Sequence, residues 1–151
     1  MKLEPMRWWH IDQVHELEQQ LFPVDAWSKE QFWSELAQPT RRYVVAIEGG
    51  SVLGYYGLFA LAPQSDVQTI AVSPEAQGRG LGAQLLNSLI EEALAQGCEQ
   101  VMLEVRSDNA AALALYARFE FEALNVRADY YAPGVDAVVM RQKPLKMVVA
   151  S

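Results

Sequence analysis

A carboxylate, an amide and a phenol lie close together in the run Glu104-Val105-Arg106-Ser107-Asp108-Asn109-Ala110-Ala111-Ala112-Leu113-Ala114-Leu115-Tyr116. Glu104 can accept a proton and Tyr116 can donate one, with unperturbed pKa values of about 4.3 and about 10. Asn109 is a residue type that caps helix starts, and Tyr116 follows it by two helical turns, on the same face. Structural roles stay open to each: Glu104 pairing with Arg106 or Arg118, Asn109 as a cap alone, Tyr116 as a half-buried core aromatic.

A second stretch can bind. Ile70-Ala71-Val72-Ser73-Pro74-Glu75-Ala76-Gln77-Gly78-Arg79-Gly80-Leu81-Gly82 reads as a buried strand (Val67 to Val72), a stop at Pro74, a glycine-rich turn and a helix start. Such a turn points unpaired N–H groups and the positive end of the helix dipole at one spot, which suits a phosphate-bearing ligand. Arg79 adds a cation there. A plain tight strand–helix turn is the other reading. There is no GxxxxGK[ST], and GxGxG replaces GxGxxG, so two common nucleotide loops are excluded.

The elements that must position these residues follow from periodicity. Leu81, Leu85, Leu86, Leu89, Ile90, Ala93 and Leu94 share one helical face, and Gly97 sits where a left-handed C-cap belongs. Val101 to Arg106 alternates as a strand, with Val101, Leu103 and Val105 on one face, and Ala110 to Phe119 is rich in helix formers. Upstream, residues 2–8 suggest a short edge strand. Ile11, Val14, Leu17 and Leu21 mark a helix stopped at Phe22-Pro23, with His10 and His15 solvated. Ser28 and Gln31 form a capping box for a second helix before Pro39. Trp8, Trp9, Trp27 and Trp33 are expected mostly in the core. Arg42–Ile47 and Val52–Leu61 flank a Gly49-Gly50 hairpin, and Gly54 and Gly57 imply a bulge or close backbone approach. Phe121–Arg127 and Asp136–Lys143 are the last strands, joined through Asp129–Gly134. The layout is mixed α/β, with one domain over residues 1–143 and a tail over 144–151.

The chain has 151 residues, 51% of them hydrophobic and 21% charged, enough for a core without disulfides or metal. The formal charge of −7 argues against a nucleic-acid footprint and permits a cationic partner. No apolar run approaches the roughly 20 residues of a membrane span. The start lacks a signal-peptide pattern, and lone Cys98 fits a reducing compartment, so a cytoplasmic location is expected. Two histidines and one cysteine make no metal cluster.

The Gln77-x-x-Gly80-x-Gly82 loop resembles the pyrophosphate loop of the GNAT (GCN5-related) N-acetyltransferases. Glu104 to Tyr116 resembles the ExRxxNxxAxxLY segment of their bacterial ribosomal-protein-alanine branch, the RimI type. The element order matches that fold, a splayed mixed sheet flanked by helices. The resemblance implies acetyl-CoA as co-substrate, direct ternary-complex transfer and no metal. Gln77, Gly78, Arg79, Gly80, Leu81, Gly82 and Ala83 would hold the pyrophosphate, and Ile70, Ala71 and Val72 would bond the pantetheine arm through main chain. Asn109 would contact the cofactor arm, Glu104 would be the proton acceptor and Tyr116 the proton donor. Arg127-Ala128-Asp129-Tyr130-Tyr131 resembles the RxxYY element, whose tyrosines line the peptide groove. The implied acceptor is a protein N-terminus, the alanine of a small-subunit ribosomal protein. A weak base such as Glu104 suits an α-amine near about 7.7–8 better than a lysine near about 10.4. A broader N-terminal, lysine or small-amine acetyltransferase, and a non-catalytic acyl-CoA-binding module, remain alternatives. The chain departs from the pattern at Ala26, for proline; at Glu120, for a glycine; and at Ala76, for a bulkier residue.

Overall fold

The computed structural model describes residues 1–148. Over them run seven strands: β1 (Lys2–Pro5), β2 (Arg41–Glu48), β3 (Ser51–Leu61), β4 (Gln64–Val72), β5 (Val101–Arg106), β6 (Glu122–Ala132) and β7 (Val135–Gln142). Four helices accompany them: α1 (Ile11–Leu21), α2 (Lys29–Leu36), α3 (Leu81–Ala95) and α4 (Ala110–Arg118). The mixed sheet has the order β1-β2-β3-β4-β5-β7-β6. Contacts divide the chain into two units, one of Met1–Phe59 with Gln68–Leu89, the other of Ala60–Val67 with the chain from Ile90 onward.

In the first unit β1, β2 and β3 pair antiparallel, in the register Leu3↔Ala46 and Val44↔Tyr56. Ile11, Val14 and Leu17 of α1 are buried with Phe32 of α2 and Val45 and Tyr55 of the strands, as the helical spacing requires. The capping box forms: Gln31 N–H donates to Ser28 Oγ at 3.2 Å, and Ser28 N–H donates to Gln31 Oε1 at 2.8 Å. Close approach explains both glycines of β3. A Cβ on Gly54 would lie 2.8 Å from the Ala71 carbonyl oxygen, and one on Gly57 would enter the Tyr43 ring. The register shift falls instead on β2, between Ala46 and Ile47.

Two expectations fail here. Trp8, Trp9 and Trp33 are exposed, and only Trp27 packs partly against the core. Phe32 takes the core position of α2, and one residue further turns the helix by about 100°, which faces Trp33 outward. Trp33 stacks on Trp8 at 6.4 Å between centroids, and Trp9 meets Trp8 edge-on at 5.6 Å. His10 is buried rather than solvated, its Nδ1 accepting from Arg7 N–H at 2.8 Å and its Nε2 lying 3.3 Å from Glu4.

In the second unit β4 and β5 pair in parallel at Asp66↔Met102, while β5 and β7, and β7 and β6, pair antiparallel. β4 starts earlier than Val67, and only Ser65 and Ala71 along it are buried, so it is half-buried rather than fully covered. Gly97 (φ +79°) closes α3, with Cys98 N–H donating to Ala93 O at 3.0 Å. Leu94 is 40% exposed, at the edge of the apolar face assigned to it. Glu120 keeps the left-handed turn in which glycine is usual, at φ +62°; Phe121 N–H donates to Tyr116 O at 3.0 Å, and the Glu120 carboxylate pairs with Lys146 at 2.7 Å. β6 runs on to Ala132, past the end expected at Arg127. Asp129 (φ +54°) forms a bulge inside it, accepting from Gly134 N–H at 2.7 Å, so Tyr130 and Tyr131 stand on a strand and not in a loop. Residues 144–148 form neither strand nor helix, and 149–151 of the proposed tail lie outside the described residues. Among the described residues no helix is long and apolar enough to cross a membrane, and no group of three or more His, Cys, Asp or Glu could hold a metal ion.

Candidate active site

The binding candidates belong to the first unit. Ile70, Ala71 and Val72 end β4, and a turn of 3-10 helix at Pro74–Ala76 leads to Gln77. Gly78 (φ +80°) and Gly80 (φ +77°) take left-handed conformations, so a side chain at either would be strained. A Cβ built on either meets nothing within 4 Å, so their peptide groups lie open. Leu81, Gly82 and Ala83 form the first turn of α3, whose N–H groups have no intrahelical acceptor; the ladder begins with Gln84 N–H donating to Gly80 O at 3.1 Å. Arg79 is not free. Its Nη2 lies 3.1 Å from both carboxylate oxygens of Glu48, on the surface. Gln77 Nε2 donates to Val72 O at 3.4 Å, turning back onto the strand.

The acid–base candidates belong to the second unit. Glu104 stands on β5 opposite Val139 of β7, with its side chain 36% exposed. It pairs with neither Arg106 nor Arg118. Arg127 of β6 reaches it instead, Nη1 donating to Glu104 Oε1 at 2.7 Å. Arg106 is held by Asp108 at 3.0 Å, which keeps the Asp108 carboxyl below its usual range. Each arginine also lies over a tyrosine: Arg127 is 4.6 Å from the Tyr130 centroid and Arg106 is 5.2 Å from that of Tyr131. The two rings meet edge-on at 5.1 Å.

Asn109 caps α4, its Oδ1 accepting from Ala112 N–H at 3.1 Å, which leaves its exposed amide NH2 as a donor. Tyr116 is buried beside Phe121, 5.9 Å between centroids. Burial and then the charge of Tyr131 push its pKa up to about 12, so it holds its proton at neutral pH. Asp66, on β4, is raised by burial and then by the charge of Glu104. Thus the structure links Glu104 to Tyr130 through Arg127, and Tyr130 and Tyr131 to the surroundings of Tyr116. Sequence reasoning did not single out Asp66 or Glu48. Asp66 faces Glu104 only through the β4–β5 pairing, and Glu48 meets Arg79 from far along the chain, so neither had a local signal.

Residues 11–121 match the model of the acetyltransferase (GNAT) family. The chain is 44% identical over 133 residues to the N-alpha-acetyltransferase RimI of Mycobacterium tuberculosis, covering 84% of this chain and 82% of that one. It is 30% identical over 123 residues to the ribosomal protein bS18-alanine N-acetyltransferase of Escherichia coli K12, covering 80% and 82%. The crystal structure of the ribosomal-protein-S18-alanine N-acetyltransferase from Escherichia coli superposes with a TM-score of 0.86 at 25% identity, covering 99% of this chain and 96% of that one.

Proposed function

The chain belongs to the acetyltransferase (GNAT) family, and on that premise we propose that it acetylates the α-amine of protein N-termini, with the N-terminal alanine of a small-subunit ribosomal protein as first acceptor. Enzymes of this family use acetyl-CoA, which supplies an activated acetyl thioester. The residues suit such a ligand: two open glycines and the free N–H groups of the first turn of α3 can receive a pyrophosphate, and Arg79 can turn from Glu48 toward it. Ile70, Ala71 and Val72 offer main-chain groups to an amide-bearing arm, and the Asn109 NH2 offers a donor.

The observation that carries the reading is the second unit's acid–base set. Glu104 is ionisable and half-exposed, so it can take a proton from an arriving α-ammonium, directly or through water. The freed amine then attacks the acyl carbon. Tyr116 keeps its phenolic proton and directs it to the departing sulfur, and its deep burial shields that proton from exchange with bulk base. Tyr130 and Tyr131 present amphipathic rings to the residues that follow the acceptor's first position.

Acetyl-CoA turnover over a peptide panel, read by mass spectrometry, tests this. The panel holds Ala-, Ser- and Met-initiated peptides with an internal lysine, an N-blocked control and spermidine. Acetylation confined to free N-termini and fastest on alanine is expected. Modification of the blocked peptide's lysine, or of spermidine, assigns another acceptor class; CoA binding without product assigns a binding module.

A further inference from the structure

Glu104 cannot serve an incoming amine while a guanidinium occupies its carboxylate. We infer that Arg127 is a stand-in for the acceptor: it holds Glu104 in the free protein and yields that carboxylate to the acceptor's α-ammonium, so that it acts as a positioning residue that sets the affinity for cationic acceptors. The inference rests on the reading of Glu104 as the proton acceptor.

The geometry supports an exchangeable pair rather than a structural one. Arg127 Nη1 lies 2.7 Å from Glu104 Oε1, a charge-assisted bond, yet the side chains are 48% and 36% exposed, so water can take over either partner when the pair opens. The guanidinium has somewhere to rest when released, because Tyr130 lies under it at 4.6 Å. The sheet explains why a residue two strands away arrives here. Arg106, Ala137 and Arg127 form one row across β5, β7 and β6, and buried Ala137 has only a methyl group between the arginines. The two cations are therefore neighbours, and each turns to its own acid, Arg106 to Asp108 and Arg127 to Glu104.

Electrostatics favour a cation at this place. Asp66 is held above the usual carboxylate range by burial and then by the Glu104 charge, which marks negative potential around Glu104 that any visiting cation shares. An ammonium fits the role better than a second guanidinium, being small, with three donors and an ionisable proton to give. A des-amino acceptor has nothing to offer Glu104 and would leave Arg127 in place.

The test is equilibrium binding at pH 7, with CoA present, of an Ala-initiated peptide and of the same peptide carrying propionyl for alanine. Arg127→Gln is expected to tighten the ammonium peptide by about three- to ten-fold and to leave the propionyl peptide unchanged. Arg127→Lys should restore wild-type affinities, and the gain should vanish when Glu104→Gln is added. In kinetics the effect should fall on the acceptor KM more than on kcat. If Arg127→Gln weakens the ammonium peptide or leaves it unchanged while Glu104→Gln abolishes turnover, the stand-in role is overturned and the proton-acceptor reading stands. A gain that persists with Glu104→Gln also overturns it. Full turnover by Glu104→Gln removes the reading beneath it.

Discussion

Glu18 and Glu104 are both carboxylates held by short hydrogen bonds, and the two regions around them differ in almost every other respect. Glu18, on α1, is 3% exposed and surrounded by neutral donors: the Tyr55 hydroxyl donates at 2.5 Å, Trp27 N–H at 3.1 Å and Thr69 Oγ1 at 3.4 Å. It ties α1 to β3, β4 and the connection into α2. The phenol of Tyr55 is pushed well above its usual range by burial and then by the Glu18 charge, so the donor keeps its proton. Glu104 is half-exposed and held by one mobile cation. A buried carboxylate among fixed donors stabilises a conformation, whereas an exposed one against a long side chain can change partners. Chemistry belongs with the second arrangement.

The contrast can be broken most sharply at Glu104. Glu104→Gln should lower turnover by roughly 10²–10⁴-fold, the usual worth of a positioned base, while urea unfolding changes by less than about 1 kcal/mol. A comparable loss of stability would make Glu104 structural, like Glu18. The reverse is expected of Glu18→Ala, which leaves the Tyr55 hydroxyl and Trp27 N–H buried without their acceptor. Chemical denaturation should show a loss of about 2–4 kcal/mol, with Glu18→Gln milder because an oxygen remains. An Ala variant as stable as the parent would end the distinction.

The smallest effect comes from alkali. Tyr116 has a folded pKa raised to about 12, from burial and then Tyr131, so its contribution to stability is whole below about pH 10 and is lost as pH climbs toward about 12. Each raised tyrosine lowers stability by about 1.4 kcal/mol per pH unit within its window. Tyr43 and Tyr55 are raised in the same direction and extend the loss further. Unfolding midpoints from pH 9 to 11.5 should fall, and Tyr116→Phe should flatten the slope by one proton's share. A Tyr116→Phe slope equal to the parent's would show that Tyr116 ionises as freely in the folded state as in the unfolded one.

Much of this was legible in the sequence where the signal is local. The apolar period of α3, the Ser28–Gln31 capping box, the Asn109 cap, the Gly97 stop and the alternation of β5 all depend on residues within a few positions of one another, and each stands where the spacing puts it. The left-handed turn at Glu120 was legible as a conflict, since the turn is kept while the glycine is not. The tryptophans were misread because hydrophobicity gives a residue reason to be buried without saying which of two adjacent aromatics the helix turns inward; Phe32 took the place and Trp33 was left outside.

By itself, then, the sequence determined the glycine turn, the carboxylate–amide–phenol run and the elements that carry them, because backbone conformation and periodicity act over a single turn or strand. Only the tertiary structure decided the partners. Arg127 rather than Arg106 or Arg118 holds Glu104, Glu48 holds Arg79, and Tyr131 sits close enough to raise Tyr116. Those pairings follow from strand register and side-chain reach across the sheet, which bring together charges far apart in the chain and leave no trace in local spacing.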